Sequence, residues 1–97
     1  MHGMVVQVKI DADRFDEAEQ GLTEMVVPTV KAHPGFVRGT WVHDRSRGRG
    51  IGIVVYESED AAKAAMAMFE QMRAAPEASN DPVTVESAEL YAVGAIA

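Results

Sequence analysis

The stretch from His33 to Asp60 constrains this chain most, because it reads as a helix stop, a strand, a basic hairpin, a strand and a helix start without interruption. His33-Pro34-Gly35 ends a helical pattern: proline cannot extend a helix, and glycine takes the turn that follows. Phe36 to His43 alternates as a strand does, with Val37, Gly39, Trp41 and His43 on one face and Phe36, Arg38, Thr40 and Val42 on the other. Asp44 to Gly50 is a Gly/Arg loop. Ile51 to Glu57 is the next strand, with Ile51, Ile53, Val55 and Glu57 opposed to Gly52, Val54 and Tyr56. One residue of slip in the hairpin would exchange which faces match. Ser58 is a good N-cap, and Glu59 and Asp60 fall where a helix dipole favours acids.

The flanks complete a symmetrical order. Met4 to Ile10 is rich in β-branched residues and reads as a strand, with His2 before it as a mobile terminus. Asp13 is the expected N-cap of the first helix, whose apolar stripe runs through Phe15, Ala18, Leu22, Met25 and Thr29. Pro28 predicts a kink or restart between Glu24 and Pro28. The second helix presents Ala62, Ala65, Met66, Phe69 and Met72 and ends near Ala75, ahead of Pro76 and a polar loop over Glu77 to Pro82. Val83 to Ile96 holds a last strand, whose apolar positions change parity between Val85 and Leu90. That change predicts a β-bulge near Ser87 to Glu89.

Composition narrows the class. With 97 residues, 47% apolar and 25% charged, the chain is expected to form one soluble domain. No apolar run is long enough to span a membrane, and no basic segment precedes an apolar one at the N-terminus, so a cytoplasmic location is expected. The absence of cysteine excludes disulfides and thiolate metal sites. A formal net charge of −6 opposes binding to nucleic acid or to anionic membranes. The charge is uneven: Arg38, Arg45, Arg47 and Arg49 crowd the hairpin, while Asp11, Asp13, Asp16, Glu17, Glu19 and Glu24 crowd the first helix. The hairpin is therefore either a solvated surface or dimer contact, or a partner for acid.

The order β-α-β-β-α-β is the ferredoxin-like, split-βαβ arrangement of the α+β class, a four-stranded antiparallel sheet with two helices on one face. The other sheet face would be left with apolar side chains in water, so a homodimer through that open face is the physical expectation.

Pro34-Gly35-Phe36-Val37, the hairpin, and then Val54-Val55-Tyr56-Glu57-Ser58-Glu59-Asp60-Ala61 resemble the dimeric α+β barrel superfamily that includes the antibiotic-biosynthesis monooxygenases. A "PGF"-like start of strand two and an aromatic-Glu-Ser-x-acidic-Ala opening of helix two recur there at this spacing. The resemblance implies a dimeric barrel and a range of activities, from cofactor-independent oxygenation of electron-rich aromatics to haem degradation. The haem-degrading branch implies an Asn in strand one and a Trp and a His in helix two. This chain has Gln7 in strand one and Met66, Met68, Phe69 and Met72 in helix two, which argues against haem degradation. The oxygenase trio of Asn, Trp and Tyr does not carry over either, because the sole Asn, Asn80, falls in a loop.

What remains is local. Trp41 and His43 share a strand face, and Tyr56 is set to look the same way. If that face lines the barrel, Trp41, Tyr56 and Gly39 would hold a small aromatic ligand and His43 would move a proton as the catalytic residue. Equally, Trp41 would fill the core or the dimer seam, and Gly39 and Gly52 would make room for a neighbouring indole. His33 is expected to meet the last helix carbonyls. No metal spacing is present, and Gly48-Arg49-Gly50-Ile51-Gly52 lies between antiparallel strands, which rejects a phosphate loop. No cofactor is expected. The functional expectation is a small-molecule-binding dimeric barrel with cofactor-independent monooxygenase-like activity. The alternatives are a non-catalytic ligand-binding or stress-associated module with a side-chain-filled cavity, or an assembly partner.

Overall fold

The structure, a computed structural model, describes residues 1–74 and 80–97. Strands β1 (His2–Ile10), β2 (Phe36–Asp44), β3 (Arg49–Tyr56) and β4 (Val83–Ala92) form one antiparallel sheet in the order β2-β3-β1-β4. Helices α1 (Phe15–Gly21), α2 (Val27–Lys31) and α3 (Glu59–Arg73) complete the ferredoxin-like α+β fold.

The first helical arm is broken as proline requires. α1 passes into a π-helical turn over Leu22–Val26, and the Val27 N–H reaches back to the Leu22 carbonyl. The wide turn accommodates Pro28, which donates no hydrogen bond and would crowd the carbonyl one turn back in a regular helix. The turn also rotates the apolar stripe: Phe15 and Ala18 are buried, but Met25 is 69% exposed, and Val30 packs inward in its place. The arm begins with a short 3-10 turn, Ala12–Arg14, in which the Asp11 carbonyl accepts the Arg14 N–H, and α1 itself starts at Phe15. Asp13, the expected N-cap, is therefore inside that turn.

α3 follows its sequence closely. Ser58 Oγ accepts the Ala61 N–H at 3.1 Å, a cap contributing about 1 kcal/mol, and Ala62 and Ala65 face the sheet. Met72, placed on the stripe, is 53% exposed. α3 ends at Arg73; the expected stop near Ala75 and most of the loop after it lie outside the described residues.

Both outer strands are irregular. In β2 the register shifts between Phe36 and Arg38, so Phe36 pairs with Tyr56 and packs toward the helices rather than sharing a face with Arg38, Thr40 and Val42. In β4, Ser87 pairs with Gln7 and Val85 with Val8, which leaves Glu86 as the extra residue, just before the segment expected to bulge. His2 is not a mobile terminus: it opens β1, and its Nε2 lies 3.2 Å from the Glu59 carboxylate.

Two buried clusters lie under the helices. Met4, Val54, Tyr56, Ala62 and Ala65 form one, and Ile10, Phe15 and Ala18 the other. The opposite sheet face carries Val42, Ile51, Ile53 and Tyr91 at 52%, 38%, 44% and 52% exposure. The C-terminal tail starts across that face. The Val93 N–H bonds the Met1 carbonyl, and Ala95, Ile96 and Ala97 border a hollow with Arg38, Thr40, Ile53 and Val55.

Candidate functional site

The strand pairing puts rings above glycines. Trp41 is paired with Gly52 and His43 with Gly50. A Cβ built on Gly52 would stand 2.8 Å from Trp41 Cδ1, and one on Gly39 would stand 2.6 Å from Trp41 Cη2. The indole thus lies flat across both positions, its pyrrole edge over Gly52 and its benzo edge over Gly39. A Cβ on Gly50 would likewise stand 2.9 Å from His43 Cδ2. The space at Gly39, Gly50 and Gly52 is taken by neighbouring rings.

Trp41, His43 and Tyr56 all project to the helix-covered side, because their cross-strand partners alternate with the exposed Ile51 and Ile53. None lies on the open face. They do not form one group, however. Trp41 is half-buried and packs against the cluster that contains Tyr56. His43 stands at the hairpin end beside Phe15, with ring centroids 5.5 Å apart and edge to face, and its Nδ1 is 3.7 Å from Glu19 Oε1.

The hairpin completes a clamp around Phe15. The Arg45 guanidinium stacks 4.5 Å from the Phe15 centroid and reaches Asp16 at 2.8 Å and Glu19 at 3.6 Å. The basic hairpin therefore does meet the acidic helix. Arg47 instead serves the turn, bonding Asp44 at 2.6 Å. That bond, with help from the Ser46 hydroxyl and the Arg47 N–H, holds the Asp44 carboxyl down at about 2.

Tyr56 is 1% exposed, and burial pushes its phenol above the usual range. Its neighbour is His33, whose ring meets it edge to face at 5.8 Å. His33 Nδ1 lies 3.0 Å from the Pro34 carbonyl oxygen, not against the helix carbonyls. Sequence reasoning passed over this pairing, since His33 and Tyr56 are distant in the chain. The available signal was that Pro34-Gly35 turns the chain straight back beside the end of β3. Gly35 makes that turn at φ 83°, and its carbonyl accepts the Glu57 N–H at 2.8 Å.

Among the described residues, no three of His, Asp or Glu stand close enough to hold a metal ion. None of the helices is long and apolar enough to cross a membrane. Two hollows, of about 340 and 360 Å³, occur at the hairpin end of the sheet and under the C-terminal tail.

Comparison with curated proteins finds no match. Solved structures share the fold. The haem degrader MhuD of Mycobacterium tuberculosis, with two haems bound, matches with a TM-score of 0.75 at 17% identity over 100% of this chain and 99% of that one. SnoaB, a cofactor-independent oxygenase from Streptomyces nogalater, gives 0.67 at 20% identity over 98% and 94%. A monooxygenase from the gene ActVA-Orf6 of Streptomyces coelicolor, in complex with nanaomycin D, gives 0.65 at 20% over 99% and 90%. At such identities the likeness is one of fold. The family assignment rests instead on residues 4–91, which match the model described as "Putative mono-oxygenase ydhR", and the chain belongs to that family.

Proposed function

We propose that this protein is a homodimeric barrel that holds a small, planar, partly aromatic molecule between its helices and sheet, and oxidises it in a cofactor-independent, monooxygenase-like reaction. The observation that carries the reading is the half-buried Trp41 indole, laid flat over Gly39 and Gly52 and packed against the cluster that contains Tyr56. A flat ring seated on bare backbone is a ready stacking surface for another flat ring. Family membership supports the reaction class, and structures of the same fold with haem or nanaomycin D bound support a ligand of this kind. In this reading Trp41 and Tyr56 contact the ligand, and Gly39 acts by seating the indole. His43 braces the hairpin through Phe15 and Glu19. The second copy covers Val42, Ile51 and Ile53 on the open face.

A second reading is a binding module whose cleft is filled by its own side chains. It is favoured by the lining of the two hollows, neither of which is bordered by Trp41 or Tyr56. Oxygen uptake with a panel of hydroxynaphthalenes separates the two. Uptake that falls at least about tenfold in Trp41→Ala supports the oxygenase. Saturable binding without uptake leaves the binding module. Neither uptake nor binding overturns both.

A further inference from the structure

The two ends of the open sheet face differ in height. Directly paired residues on neighbouring strands share a face, and the exposed Ile51 and Ile53 fix which residues lie on this one. One end is the row Arg38, Val55, Gly3 and Tyr91; the other, beside the hairpin, is Asp44, Arg49 and Lys9. The C-terminal tail lies over the first row. The Val93 N–H bonds the Met1 carbonyl at 3.0 Å, and a Cβ on Gly3 would stand 3.9 Å from Val93 Cγ2. Ala95, Ile96 and Ala97 then border a hollow with Arg38 and Thr40 of β2. Val55 beneath them is only 8% exposed, against 44% for Ile53 on the same strand face. Residues 93–97 thus form a ridge across one end of the sheet, with Ile96 left 42% exposed.

The hairpin end is the reverse. There the hollow of about 340 Å³ is bordered by Val42, Ile51, Gln7, Asp44, Arg49 and the bulge residue Glu86. A two-fold pair of such faces has two aligned arrangements. An axis along the strands sets ridge against ridge and hollow against hollow. Because the strand order is β2-β3-β1-β4, that axis also lays β3 over the other copy's β1. Arg49 then stands over the partner's Lys9, a like-charge contact made twice. An axis across the strands removes both conflicts.

We propose that a second copy of this chain docks about an axis crossing the strands, so that each 93–97 ridge seats in the other copy's hairpin-end hollow. This rests on the homodimer reading above and adds its register. Each strand lies over its own counterpart, running the opposite way, and the first row of one copy meets the last row of the other. Ile96 enters between the partner's Val42 and the partner's Ile51, so an apolar knob meets an apolar floor. At the corner of the face Arg38 meets the partner's Asp44, and the symmetry makes that opposite-charge contact twice. Shape and charge therefore select the same one of the two arrangements.

The chain has no cysteine, so an introduced thiol reports a single contact. Ile96→Cys and Arg49→Cys chains, one of them isotope-labelled, are mixed, left to exchange subunits and oxidised, and intact mass reads the products. The mixed disulfide is expected to exceed either homodisulfide by at least about tenfold, because a disulfide forms only between closely placed residues. A predominant homodisulfide of the Ile96→Cys chains overturns the register and leaves the dimer standing. So does a dimer by light scattering that gives no mixed disulfide. Charge gives a second reading without thiols. Arg38→Glu and Asp44→Lys chains should each pair weakly with themselves, and with each other more tightly by roughly tenfold, as read by native mass spectrometry. Statistical mixing of the two overturns the register. A wild type that is monomeric at high concentration overturns the homodimer and its register together.

Discussion

Trp41 lies flat on Gly52, its Cδ1 occupying a point 2.8 Å from where a Cβ of that residue would stand. The two backbones are paired directly across β2 and β3, so the contact is built into the register. Gly39, two residues earlier on the same strand, receives the other end of the ring. Three residues thereby fix one indole orientation.

Adding a single methyl at either glycine should therefore lift the ring. Gly52→Ala and Gly39→Ala are expected to destabilise the protein by about 1–3 kcal/mol, the usual cost of overpacking. Because Trp41 is the only tryptophan, its emission should shift to the red as the ring gains solvent. Urea denaturation followed by fluorescence reads both effects, and an unshifted spectrum with wild-type stability would contradict the packing.

Asp44 predicts an acid-sensitive turn. Its folded carboxyl is held at about 2, below the ordinary 3.8, by the Arg47 side chain first and then by Ser46 and the Arg47 N–H. A depressed carboxyl contributes stability above its unfolded pKa and loses that contribution as pH falls from about 4 to about 2. Asp44→Asn should flatten the pH dependence of the urea midpoint across that window. The residue is exposed enough that the effect should also shrink with salt.

Arg45 should matter more through Phe15 than through its acids. Exposed ion pairs contribute little, whereas a guanidinium over a ring contributes about 0.5–1 kcal/mol and is less screened. Arg45→Ala is expected to lower stability by about 1 kcal/mol, with most of the loss persisting at about 1 M salt. A loss that vanishes in salt would assign the contact to Asp16 and Glu19 instead.

The open face gives the last prediction. Ile53 is 44% exposed on a central strand, surrounded by Val55, Thr40 and the C-terminal tail. Ile53→Lys should shift light-scattering mass toward the monomer without loss of helical signal in circular dichroism. A wild-type protein already monomeric at high concentration would remove the basis for the proposed dimer.

The element order was legible because hydrophobic period, proline and caps agree over most of the chain. Pro28, Pro34-Gly35 and Ser58 each act where their chemistry says they should. The finer errors have local causes. Phe36 changed sides because the edge strand bulges, and Met25 left the stripe because the π-turn rotates everything after Leu22. Asp13 is not the cap because a 3-10 turn precedes the helix and takes that residue into its interior. The site was half legible. Gly50 and Gly52 sit on one strand face, and their meaning lay in the facing His43 and Trp41. The approach of His33 to Tyr56 depends on tertiary packing of a helix end against a strand end, which no local period encodes.

The two bulges have a consequence beyond register. Val37 in β2 and Glu86 in β4 are extra residues on the two outermost strands, so each border of the sheet has a break in its row of free backbone groups. A growing strand from another molecule needs an uninterrupted row to template on, and neither border offers one. The borders are thus poor templates for assembling sideways into ribbons, whereas the proposed pairing through the broad face would need no strand border at all.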